Sequence, residues 1–143
     1  MNQTIDLATA RAIIDAAEAE GTRLALKPLT VVVLDAGGHV VAAIRQDGSS
    51  MSRFEIAHGK AYGALALGIG SRALMARAEQ QPYFVAAAGT AIGGALVPVP
   101  GGVLVQADGR TIGAVGISGD TSDNDEAAAV AGIAASGHTS VTG

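Results

Sequence analysis

Residues 30–45, Thr30-Val31-Val32-Val33-Leu34-Asp35-Ala36-Gly37-Gly38-His39-Val40-Val41-Ala42-Ala43-Ile44-Arg45, decide the fold. Thr30 to Leu34 is a β-branched run without polar alternation, the pattern of a strand buried on both faces. Asp35-Ala36-Gly37-Gly38 is turn chemistry, so His39 to Arg45 reads as the returning strand of a hairpin. Working outward, Leu7, Ala10, Ile13, Ile14, Ala17 and Leu24 recur at helical spacing, with Asp6 as N-cap and Lys27-Pro28 as the stop. After a polar loop at 46–50, a second helix is predicted from about Ser52 to Leu67, with Ser52 and Glu55 placed as a capping box. Gly68-Ile69-Gly70 interrupts it, Ser71 caps a third helix to about Gln80, and Tyr83 to Ala88 forms a further helical turn. Three strands are then expected at Leu96–Val99, Val103–Gln106 and Thr111–Ser118, separated by Pro-Gly-Gly and Asp108-Gly109 turns. Asp123 with Glu126 caps a last helix over 127–135, and residues 136–143 read as a frayed end. Hairpin strands with helices grouped between them predict an α+β fold: an antiparallel sheet with helices packed on it, in one domain spanning 1–143.

The composition bounds the function. Of 143 residues, 30 are Ala and 20 are Gly, so the core is built from small side chains. Two Phe, two Tyr and no Trp argue against a groove that stacks bases, and a net charge of -4 argues against a nucleic-acid footprint. With no cysteine, disulfides, cysteine-ligated zinc and thiol catalysis are excluded. The long uncharged stretch from Gln80 to Ala107 is cut by Pro82, Pro98, Pro100 and Gly pairs into pieces too short to span a bilayer as one helix. The N-terminus has no basic region followed by an apolar one, so a cytoplasmic location without a membrane partner is expected.

The second helix carries the main chemical signal. Glu55, His58 and Tyr62 fall at i, i+3 and i+7 on one face, and Arg53 and Lys60 form a basic edge beside them. Such a face suits a carboxylate held by Arg53 and Lys60 while His58 moves a proton or ligates a metal; a plain surface pair of Glu55 with His58 is the alternative. Gly68-x-Gly70-Ser71-Arg72 reads either as an anion site or as helix punctuation. Asp120, Asp123, Asp125 and Glu126 lack the alternation of a calcium loop and read as caps and loop charge.

Taken together, several motifs resemble one family: Val33-Leu34-Asp35-Ala36-Gly37-Gly38-His39-Val40-Val41, Asp47-Gly48, Ala57-x-x-Lys60-Ala61, Val97-Pro98-Val99-Pro100-Gly101-Gly102-Val103, Gly113-Ala114-Val115-Gly116-Ile117-Ser118-Gly119 and Asp123-x-Asp125-Glu126. In this order they resemble the GlcG/HbpS family of haem-binding proteins, related to the C-terminal domain of PduO-type corrinoid adenosyltransferases. The resemblance implies an antiparallel sheet of about five strands, assembly into homo-oligomers, and binding, in some members degradation, of haem. It places a small-molecule ligand among Asp47, Gly48, Lys60, Gly101, Gly102, Gly116, Gly119, Asp125 and Glu126. On this reading His58 is the candidate iron ligand, with Met51 and Tyr62 as alternatives, the tetrapyrrole lies on the Gly-rich strand or in a subunit interface, and its propionates meet Arg53 or Lys60. The alternative is a cofactor-independent isomerase, lyase or hydrolase in which cations hold a small organic acid and His58, Glu55 or Asp47 transfers a proton.

Overall fold

A computed structural model describes residues 3–143. The elements are α1 (Leu7–Arg23), β1 (Thr30–Asp35), β2 (Val40–Arg45), α2 (Arg53–Leu67), α3 (Ser71–Gln80), α4 (Pro82–Ala91), β3 (Gly102–Ala107), β4 (Arg110–Ser118), α5 (Ser122–Ala135) and β5 (Thr139–Val141). The strands form one antiparallel sheet in the order β2-β1-β4-β3-β5. The α+β class and the five-strand sheet therefore agree with the sequence reading.

The unbroken apolar run of β1 is explained by its place. Val31 and Val33 join Val103, Val105, Val115 and Ile117 in a core against Ile13, Ile14 and Ala17 of α1 and Ala128, Ala129 and Ile133 of α5. Val32 and Leu34 point the other way and meet Ala57, Ala61 and Ala64 of α2, with Leu104 and Ala114 beside them. A strand between two helical layers has no solvent face, so the period-two alternation of a half-buried strand disappears. β2, at the edge, regains partial exposure along its length.

Small residues let α2 lie unusually close to the sheet. A Cβ added to Gly116 on β4 would fall 1.9 Å from the carbonyl oxygen of Ala57, a backbone atom that cannot step aside. On another side of α2, a Cβ on Gly59 would fall 2.7 Å from Cγ2 of Val97, and the Val97 N–H donates to the Gly59 carbonyl at 3.1 Å. The expected strand at Leu96–Val99 is thus replaced by an irregular strap laid over α2. Pro98 and Pro100 have no N–H to give a ladder, and the notch left by Gly59 and Gly63 accepts the strap instead.

The fifth strand is β5, in the segment read as frayed. Gly137 turns the chain at φ 81° and Thr139–Val141 pairs with Gln106–Leu104 along the free edge of β3. The caps also differ from expectation. Asp6 does cap α1, accepting from the Thr9 N–H at 2.8 Å. At α5, however, the cap is Thr121, accepting from Asn124, and not Asp123. Ser52 makes no side-chain capping bond, and α3 begins after Gly70 because the Ser71 hydroxyl is bonded instead to both the N–H and the carbonyl of Gly102.

These packings separate two glycines. Gly116→Ala is expected to lower unfolding free energy by about 3 kcal/mol, the upper end for overpacking. Gly89→Ala, inside α4 with its nearest foreign atom at 3.8 Å, is expected to raise it by about 0.5–1 kcal/mol. Urea unfolding of the two variants checks the pair; equal effects would contradict the close approach of α2.

Candidate functional site

Lys60 lies on the inner side of α2 and is only 2% exposed. Its ammonium donates to the Ile117 carbonyl at 2.9 Å and to Asp125 Oδ2 at 3.1 Å. Asp125, 1% exposed, stands in the first turn of α5, on the opposite face of the sheet, and its other oxygen accepts the Asp120 N–H at 2.9 Å. The pair thus passes around the end of the sheet where β4 stops and β3 starts. Burial pushes the Lys60 ammonium below its ordinary value and the Asp125 carboxyl above its own, while each opposes the other's shift.

The structure places part of the predicted site inside the fold. Lys60 is committed inside the fold and has no ammonium to offer a propionate or substrate acid. Gly101 and Gly102 are wrapped around it: a Cβ on Gly102 would fall 2.2 Å from the Lys60 carbonyl oxygen, and one on Gly101 2.8 Å from Nζ. Gly116 is covered by Ala57, so the Gly-rich strand is closed to a flat ligand. These three glycines admit other parts of the chain. Glu126 and Asp123 both bind the Arg72 guanidinium, which raises its pKa further and leaves the Gly68–Arg72 turn as punctuation.

The outer side of α2 is different. His58 stacks between Phe54 and Tyr62, with ring centroids at 5.9 and 5.5 Å. The aromatic stripe therefore runs at i, i+4, i+8, and Phe54, 38% exposed, belongs to it although the i, i+3, i+7 reading passed over it. Its signal was the four-residue spacing of three rings. Neither ring nitrogen of His58 has a hydrogen-bond partner among the described residues, whereas His39 lies 3.4 Å from Asp35 and His138 2.9 Å from the Ser136 hydroxyl. Beyond Tyr62 a shallow cavity of about 180 Å³ is lined by Gly37, Gly38, Leu65 and Ala66.

Arg53 turns toward the end of β4, where Nη1 donates to the Ser118 hydroxyl at 3.0 Å. It borders a second cavity, of about 240 Å³, with Lys27, Gly48, Ser49, Ser50 and Gly119. Gly48 and Gly119, two of the motif positions, do meet here. Next to it Asp120 accepts from the Asn124 side chain and the N–H groups of Lys27 and Thr121, which hold its carboxyl down to about 2. Asp47 and Glu55 are exposed, and no hydrogen bond or ion pair among the described residues joins either to His58. No direct bond to His58 therefore organises the proton-transfer trio of the enzyme reading among the described residues.

The buried pair makes a quantitative prediction. Lys60→Met or Asp125→Leu alone leaves one buried charge unpaired and is expected to cost about 3–5 kcal/mol. The double variant is expected to recover most of that loss in denaturant unfolding; additive losses would contradict direct coupling.

Among curated proteins, no sequence matches this chain. Among solved structures, the Klebsiella pneumoniae protein ORFY is 26% identical, with a TM-score of 0.84 over 96% of this chain and 93% of that one. A complex of PduOC with haem is also 26% identical, with a TM-score of 0.82 over 92% of this chain and 94% of its own. A double mutant of HbpS from Streptomyces reticuli has a TM-score of 0.79 at 26% identity, over 92% of this chain and 86% of that one. The family model for haem-degrading, HbpS-like proteins matches residues 5–134, nearly the whole described chain. With the family model matched over most of its length, the chain belongs to the HbpS-like family.

Proposed function

We propose that this protein binds haem on the outer side of α2, with His58 as the iron ligand. The observation that carries the reading is the His58 ring, flanked by Phe54 and Tyr62 and free of hydrogen bonds among the described residues. An imidazole with an open nitrogen is a haem-iron ligand, and flanking aromatic faces suit a flat apolar macrocycle. Membership of a family named for haem degradation, and likeness to a haem complex, support the same ligand. With Lys60 bound to Asp125, that ammonium is not open to a propionate. Bound haem supplies a redox-active iron; the residues of this chain hold and orient it.

The cavity beside the stripe, of about 180 Å³, is smaller than the roughly 300–1,000 Å³ that enclose most ligands. The chain alone therefore offers haem a platform and not a closed pocket. Self-association supplies the missing wall in this reading, and Met51 (81%), Tyr83 (71%), Phe54 and Phe84 are among the exposed apolar side chains available to a second copy.

Hemin titration tests the ligand: a saturable Soret band is expected, shifted or weakened in His58→Ala. No saturable band overturns haem binding, and an identical spectrum in the variant removes His58 as ligand. Light scattering of the purified protein is expected to give a multiple of the 14.0 kDa chain mass; a monomer mass with and without hemin overturns the shared wall.

A further inference from the structure

We propose that the cavity at Arg53 is a separate binding site for a small carboxylate. Its walls come from four parts of the chain: Lys27 before β1, Gly48 to Ser50 in the β2–α2 loop, Arg53 at the start of α2, and Gly119 after β4. The lining includes two cations and no acidic side chain. Arg53 is half-buried and forms no ion pair among the described residues, in contrast to Arg23, Arg72 and Lys60. The one side-chain hydrogen bond of Arg53 among the described residues, from Nη1 to the Ser118 hydroxyl, fixes the guanidinium and leaves the remaining donors of the fork to a planar, two-oxygen acceptor.

The other walls suit the same ligand. Ser49 is held by Thr30 at 2.9 Å, while the Ser50 hydroxyl has no partner among the described residues. The Asp120 carboxylate accepts three hydrogen bonds, and the Lys27 charge adds a weaker attraction to it. A volume of about 240 Å³ fits an acid of a few carbon atoms and excludes a macrocycle. Gly48 adopts φ 88°, and a Cβ there would press against Pro28 at 3.3 Å, so glycine at this corner keeps the loop in place.

The carboxylate group has two sources, a free organic acid or a haem propionate, and the site is proposed for the free acid. NMR titration of the intact protein with malonate, at constant ionic strength set by chloride, reads it directly. Saturable shifts are expected at the amides of Gly48, Ser49, Ser50 and Arg53, with affinity weakened about tenfold in Arg53→Met. Lys27→Met, which keeps the backbone N–H bonded to Asp120, is expected to weaken malonate several-fold and guards against misfolding of the Arg53 variant. If malonate gives no saturable shift but Arg53→Met weakens hemin and leaves hemin dimethyl ester unaffected, the free-acid site is overturned and the propionate is the group recognised. Absence of both effects overturns any carboxylate site. Neither result touches the Soret test of His58, so the two readings fail separately.

Discussion

The Lys60–Asp125 ion pair is the constraint on which the rest of the molecule is arranged. The helices it joins lie on opposite faces of the sheet, so the only path between them runs past the ends of β3 and β4. That path fixes where β4 ends, because Ile117 spends its carbonyl on Lys60. It fixes how β3 begins, because only glycines fit at 101 and 102 around the buried side chain. It also fixes the first turn of α5, since Asp125 accepts the Asp120 N–H. A buried pair of this kind adds little net stability over an apolar replacement, but it strongly penalises any arrangement that separates the partners. The lysine and the aspartate thus specify which end of the sheet the two layers share.

Around this clamp α2 divides its surface into three uses. Ala57, Ala61 and Ala64 meet the sheet, Gly59 and Gly63 receive the 96–99 strap, and Phe54, His58 and Tyr62 form a stripe that runs from an exposed ring to Tyr62, partly buried against the sheet-side core. The abundance of Ala and Gly is then more than a thin core. Small side chains allow one helix to be packed on two sides while its third side remains available for chemistry.

Much of the fold was legible because long periodic segments determined it. The β1 run and the helical spacing of α1 and α2 carry strong signals, and each is confirmed by a layer packed on the face it implies. The strap at 96–99 misled because Leu, Val and Pro in alternation have strand composition, while the glycine notch that captures them lies 37 residues earlier in the chain. β5 was hidden for the opposite reason: three residues carry no periodicity, and only the free edge of β3 recruits them. At the site, the helix was found but the division of its faces was not. Lys60 and Arg53 are both cations on one helix, and sequence spacing does not reveal that Asp125 waits for the first and no acid for the second. The motif glycines were similarly ambiguous, since a glycine needed for a ligand and one needed for a neighbouring backbone look the same.

The glycine contacts of α2 bear on how anything docks to its outer side. With the Ala57 carbonyl against Gly116 and the strap seated on Gly59, the helix has no slack to rotate or slide. The entropy of fixing the Phe54–His58–Tyr62 platform is therefore lost during folding and not at the moment of association. Binding at the site proposed here would then be rigid on this protein's side, with differences in affinity set by the ligand's own shape and by whatever closes over it.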